Sequence, residues 1–461
     1  MKKLKKLLSA ILSLALVLCL GMPALAAEPE AAQNPAPWTY EYLADAYALG
    51  LMDNGYGKYI QSPITQDQLT AMTDIVSDKL ALLGLPQRGA DDDALVIDTT
   101  RGGVMNALYQ VCADYQMEGI NEGVIPFLRE LGVVKGVNEA GDLNLEQPCT
   151  YQEAMVMSVR LVLAVYDGAD AGSQGLLWKV TNGKNTLYLL GTVHVDRSNV
   201  YPFHKSLRAA LASAQTVIFE LDFNDQEGLA EFAAMQTYSD GTTLKDHISP
   251  ELYASTVQVF ADLGMSEEAV AAYKPWALAN SLLSLATQDE TTTGAPMAID
   301  LYLNSAAVNA GKQIDAVETY AFQGGIFDTL SPEYQEAYLA GYVNSALIDD
   351  TLEMTEEQKK ELQEAMEYQE KQMDAMMETW KAGDAAAFEE SFDKAAVLES
   401  TDELNSRLFT DRDPNMIEYA AKLLEREGEN TFFLAVGAGH MVDPGGIVGG
   451  LRALGYTVEK L

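Results

Sequence analysis

The sequence predicts an α/β fold of the α+β sandwich kind, with a small central sheet and a long helical insertion, behind an N-terminal domain built of helices. Three observations carry this. Leu187 to Leu190 is a short apolar run closed by Gly191, the pattern of a buried strand. An amphipathic helix on Leu207, Ala210, Leu211 and Ala214 follows, then a second strand from Thr216 to Phe219, completing a β-α-β unit. Thr431 to Val436 repeats the buried-strand pattern near the end of the chain, and Gln313 to Val317 supplies another. Residues 37–166 show helical spacing and capped helix starts instead.

Taken in order, the chain opens with Lys2, Lys3, Lys5 and Lys6 ahead of an apolar stretch from Leu7 to about Met22, and Ala24-Leu25-Ala26 then offers small residues to a signal peptidase. Residues 1–26 are therefore expected to be a secretory signal peptide, with an uncleaved anchor as the alternative. Leu18 before Cys19 argues against lipid attachment, which wants a small residue there. The mature protein is expected to be exported, extracellular or associated with the cell envelope.

The 461 residues carry 30 basic and 68 acidic side chains, a formal charge of −38 that becomes −42 when the four signal lysines are removed. Such acidity makes nucleic acid or an anionic membrane surface a poor partner, and no nucleic-acid partner is expected. It suits solubility outside the cell and would also favour cationic ligands. Two cysteines remain, Cys112 and Cys149, too few for a disulfide framework.

Residues 27–36 are a short Pro/Ala-rich linker. In 37–166 one unit runs from Trp38 through Leu49 to Gly50-Leu51, then to Ile64-Thr65 and a new helix with Gln66 and Leu69. A second repeats the plan with Phe127, Leu131, Gly132-Val133, a turn at Gly141-Asp142, and Thr150 as N-cap of the helix holding Glu153. Residues 86–103 read as a polar loop between them. This plan resembles the surface-layer homology (SLH) repeat, which implies a cell-wall polymer as partner. The basic residue usual after the Thr is replaced by Gln66 and Tyr151, and a helical spacer is the other reading.

Residues 167–175 form a Gly/Ala/Asp/Ser-rich hinge to the domain at 176–461. That domain opens with a hairpin across Asn182-Gly183, and carries a mainly helical insertion over roughly 226–310. Helix starts follow at Ser249-Pro250 and Ser331-Pro332. Thr355 and Gln358 make a capping box for a helix with Leu362, Met366, Met373, Met377 and Trp380 on one face. That stripe is read as core packing, with an adaptable groove cover as the alternative.

Chemistry is expected at the strand ends. The first strand delivers Gly191-Thr192-Val193-His194, the last delivers Gly437-Ala438-Gly439-His440, and the strands between end on Glu220 and Glu318. Asp300 lies on the preceding helix. Ligands of open α/β sheets bind beyond the carboxyl ends of the strands, so His194, Glu220, Glu318 and His440 are expected in one crevice. Two histidines with a carboxylate form the ligand set of a catalytic divalent ion. Glycines 191, 437 and 439 permit positive φ or close backbone approach. His204 is expected at the rim, and His247 in a structural role.

The segment GTVH…YPF…AL…IFELD, KPW at 274–276, the Asp300 helix before AVET at 316–319, Trp380 with Gly383-Asp384, Arg412, and the closing FFLAVGAGHMVDPGGIVGG together resemble the TraB/GumN family, which includes the Tiki proteins. The resemblance spans roughly 176–461 and implies a compact α/β/α fold, with His194, Glu220 and His440 at family site positions and Arg412 as the basic residue there. Asp413 stands where the family commonly has Asn. The Tiki branch implies a metal-dependent protease: an ion (Mn, Co or Zn) on His194 and His440, with Glu220 either as a further ligand or as the proton carrier, Arg412 stabilising the oxyanion, and a secreted or cell-surface peptide or protein as substrate. Two alternatives stand beside it: a non-catalytic receptor for a peptide or wall fragment using the same cleft, and a metal-free His/Glu hydrolase, to which a distant likeness to erythromycin-esterase-type enzymes points. There is no HExxH, no Gly-x-Ser-x-Gly elbow and no phosphate loop.

Overall fold

A computed structural model describes residues 33–88, 95–138, 140–193, 200–286, 297–347, 364 and 371–461. The expected signal peptide, His194, the Thr355–Gln358 capping box, Leu362 and Met366 lie outside the described residues.

Six strands form one sheet in the order β4-β3-β5-β2-β1-β6: β1 (Leu176–Asn182), β2 (Asn185–Thr192), β3 (Thr216–Phe219), β4 (Gln313–Ala316), β5 (Thr431–Gly437) and β6 (Val458–Lys460). The hairpin β1–β2 turns over Gly183-Lys184, one residue later than expected, because Asn182 pairs with Asn185 and Gly183 supplies φ +59°. β2, β5, β3 and β4 are mutually parallel, so their carboxyl ends share one edge: Thr192 lies opposite Gly437, and Phe219 opposite Ala316. Every residue of β3 is buried, and so is β5 from Phe432 onward, as expected where a parallel sheet is covered on both faces. β6, with a single buried residue, pairs antiparallel with β1 and was not legible in the sequence.

The N-terminal residues are helical, with helices Tyr40–Ala48, Gln66–Ala81, Arg101–Ala113, Val124–Glu130 and Tyr151–Gly168. The two sequence units end their first helices alike: Leu51 N–H bonds Ala46 O at 2.8 Å behind Gly50 (φ +78°), and Val133 N–H bonds Leu128 O at 2.8 Å behind Gly132 (φ +69°). Thr65 and Thr150 each head a capping box. Helix Arg101–Ala113 corrects the loop reading at its C-terminal end: Thr100 caps it, its side chain accepting from Gly103 N at 3.0 Å. Cys112 and Cys149 are buried free thiols, each pushed up to about 12 mainly by burial.

This helical unit packs on the sheet domain. Lys79 Nζ donates to Tyr201 O at 3.0 Å, and the Tyr302 hydroxyl donates to Asp45 Oδ1 at 2.9 Å. The hinge residues are held as well, since Ser173 N–H bonds Pro202 O and Gln174 N–H bonds Lys381 O. Met377 and Trp380 are buried, as the packing reading of their stripe expects. Among the described residues no helix is long and apolar enough to cross a membrane.

Candidate functional site at the carboxyl edge of the sheet

The parallel strands bring Glu220, Glu318 and His440 to one edge, and helix Asp413–Leu424 brings Arg412, its N-cap, against them. Arg412 is enclosed, with 1% of its surface exposed. Its Nε donates to Glu318 Oε1 at 2.8 Å, and its Nη2 to Glu318 Oε2 at 2.7 Å and Glu220 Oε2 at 2.5 Å. Burial alone would lower its pKa, but the two carboxylates hold it above the ordinary guanidinium value. The donors that an oxyanion role would use at Nε and Nη2 are thus occupied by Glu318 and Glu220.

Gln323, on helix Tyr320–Asp328, links the same carboxylates: its Nε2 donates to Glu318 Oε2 at 2.8 Å and to Glu220 Oε2 at 3.1 Å. It carries no sequence signal, because a glutamine on a helix resembles any other. The remaining oxygen of Glu220, Oε1, accepts from Gly437 N at 2.8 Å. The carboxylate is oriented from three sides.

His440 sits in the short helix Ala438–Met441 directly after β5 and is wholly buried. Its Nδ1 lies 2.7 Å from Asp413 Oδ1, while Asp413 Oδ2 accepts from Lys394 Nζ at 2.7 Å. Lys394 also donates to Val442 O at 3.0 Å. Burial pushes the Lys394 ammonium below the ordinary lysine value, with Asp413 opposing the shift. Phe409 lies beneath both, its ring centroid 5.1 Å from the His440 ring and 5.1 Å from Lys394 Nζ. Nε2 of His440 has no hydrogen-bond partner among the described residues and points across 4.0 Å to Glu220 Oε1.

The three site glycines are absent from the positive-φ positions, so the part of the expectation that stands is close approach. A Cβ on Gly191 would lie 3.0 Å from Ala438 Cα, and one on Gly439 would lie 2.9 Å from Phe392 Cζ and Phe409 Cε1. Gly437 serves through its N–H. Asp300 is buried on helix Ile299–Asn309, one turn from Asn304, whose Oδ1 accepts from Asn224 just beyond β3. His204 caps helix Lys205–Ser213, its Nδ1 accepting from Ser206 N, and His247 stacks on Tyr238 at 4.3 Å.

Among the described residues no group of three His, Cys, Asp or Glu side chains is placed to hold a metal. Two donors are nevertheless arranged as a metal site requires: an unpartnered imidazole nitrogen whose other nitrogen is tied to a carboxylate, and a carboxylate oxygen facing it. His194, the other donor expected from the sequence, lies outside the described residues.

The chain is 25% identical over 323 residues to a protein named Metalloprotease TIKI1 of Danio rerio, the match covering 61% of this chain and 62% of that protein. It is 22% identical over 338 residues to one named Metalloprotease TIKI homolog of Amphimedon queenslandica, covering 63% and 62%. The chain thus spans less than two thirds of the length of these relatives. No solved structure gives a significant match. A sequence model described as the TraB/PrgY/gumN family matches residues 176–460, the whole sheet and its edge, and the chain belongs to that family.

Proposed function

We propose that this chain is an exported, metal-dependent peptidase acting on a secreted or cell-surface peptide, with its centre at the carboxyl edge of the sheet. The observation that carries the reading is the buried, unpartnered Nε2 of His440 facing Glu220 Oε1 at 4.0 Å. The relatives named metalloproteases support it. His440, with His194 from the first Gly-x-x-His, would hold the ion, which leaves Glu220 Oε1 as the base. Bound there, a divalent ion of the Mn, Co or Zn kind supplies Lewis acidity and brings the pKa of water to about 7.

The protein's own part is positional. Gly437, Gln323 and Arg412 fix Glu220 so that Oε1 is turned to the site to take a proton from the attacking water and return it to the leaving amine. Glu318 balances Arg412, so that the guanidinium orients Glu220 from behind. Substrate recognition is assigned to this edge. In the helical unit, Arg101, the basic residue that follows the capping Thr100, is paired with Glu153 at 2.5 Å and so is not free to meet an anionic wall polymer.

The test is elemental analysis of the purified protein after incubation with Mn, Co and Zn, beside His194→Ala and His440→Ala. About one ion per chain in the wild type and none in the variants is expected, with cleavage of test peptides abolished by a chelator. Neither form holding metal would sink the reading. The Asp413–His440 pair also favours a second one, a metal-free hydrolase in which His440 is the base and Asp413 its orienting carboxylate. Hydrolysis that survives chelation but not His440→Ala would select it.

A further inference from the structure

We infer that Lys394 and Asp413 are positioning residues that lock His440 in the tautomer with its proton on Nδ1, so that Nε2 presents a lone pair across the gap to Glu220. This deepens the function proposed above and rests on it for its purpose, but not for its test.

An ionised carboxylate only accepts hydrogen bonds, so the 2.7 Å contact between Asp413 Oδ1 and His440 Nδ1 makes Nδ1 the donor. In a neutral imidazole the other nitrogen is then unprotonated. The surroundings of Nε2 agree. It is buried, no described group donates to it or accepts from it, and the nearest charged oxygen stands 4.0 Å away, too far for a hydrogen bond.

Lys394 explains why Asp413 stays in place. Its ammonium, fully buried, holds Oδ2 at 2.7 Å and is itself held by Val442 O at 3.0 Å, two residues past His440. One lysine therefore grips both the carboxylate and the backbone beside the histidine. Its own entry is fixed by Asp393, which adopts φ +44° and caps the helix Lys394–Leu398 through Ala396 N. A left-handed non-glycine residue costs energy and persists where neighbouring structure demands it. Burying an ion pair seldom adds stability over apolar packing, so this one, set directly behind His440, is better explained by orientation. A metal-binding histidine commonly has such a carboxylate on its second nitrogen.

The experiment is long-range 1H–15N spectroscopy of metal-free, histidine-labelled protein, with His440→Gln used to assign the ring among the four histidines. The wild type should show a neutral His440 protonated on Nδ1. Lys394→Met/Asp413→Leu removes both charges together, leaving no buried charge unpaired, and so should fold. It should lose the single-tautomer pattern. A cobalt titration of the same two proteins should show affinity about 10- to 100-fold weaker in the double variant. An Nε2–H tautomer or an imidazolium in the wild type overturns the inference, as does an unchanged Nδ1–H tautomer in the double variant. Absence of cobalt binding with the wild-type tautomer as expected would remove the metal reading and leave this assignment standing.

Discussion

The indole N–H of Trp380 donates to the carbonyl oxygen of Gly191 at 2.6 Å, tying the helical residues 371–381 to the end of β2 where the chain leaves the sheet for the first Gly-x-x-His loop. Both partners are buried. Trp380→Phe keeps an aromatic ring but leaves the carbonyl unsatisfied, which costs about 1 to 3 kcal/mol. Urea unfolding monitored by circular dichroism should show that loss. An unchanged midpoint and slope would mean that the tie carries no stability.

Arg412 is the counter-charge for two buried carboxylates at once, so its removal differs in kind from that of a surface arginine. Arg412→Met should destabilise the protein by about 3 to 5 kcal/mol, the cost of leaving buried charge unpaired. Adding Glu220→Gln and Glu318→Gln should recover most of that in the same urea assay. If the triple variant unfolds no later than the single one, shape and not charge dominates the cluster.

The elements that were legible are those where burial dictates pattern. The apolar runs of β2, β3 and β5 must be continuous because both faces are covered, and that placed Glu220 and His440 at strand ends. β6 was not legible because it is a three-residue strand, Val458–Lys460, joining an existing sheet edge. Helix Arg101–Ala113 was hidden by Gly102 and Gly103 in its first turn, which read as loop although Thr100 caps it. Lys394 meets the site only through tertiary packing, 19 residues from Asp413, and Gln323, five residues after Glu318, stands in no motif that marks it.

The half-buried Asp45, at the contact between the helical unit and helix Ile299–Asn309, gives a pH prediction. Burial raises its pKa from 3.8 to about 6, against the lowering effects of the Tyr302 hydroxyl and Arg208. The folded state therefore binds this proton more tightly than the unfolded chain. The resulting stabilisation is complete below 3.8 and is lost as pH rises through about 6. At about 1.4 kcal/mol per pH unit, that span amounts to about 3 kcal/mol. Asp45→Asn can still accept from Tyr302 and should flatten this segment of the stability profile relative to wild type. Parallel profiles for the two proteins between pH 4 and 7 would refute the assignment.

Gly439 tests whether the second Gly-x-x-His motif is set by packing. Its φ is not in the left-handed region, so alanine is allowed there by backbone conformation. The obstacle is space: the added Cβ would stand 2.9 Å from both Phe392 Cζ and Phe409 Cε1, rings that are themselves buried and packed edge to face at 6.0 Å. Neither ring can yield without moving the other, and Phe409 also lies against His440 and Lys394. Overpacking of this kind costs about 1 to 3 kcal/mol. Gly439→Ala should therefore lower stability by that amount and also weaken metal uptake, because the strain falls on the residue next to His440. The compensating change Phe392→Leu, which takes one ring edge away, should restore part of both. Recovery of stability without recovery of metal binding would show that the glycine serves the backbone path to His440 and not merely the room around it.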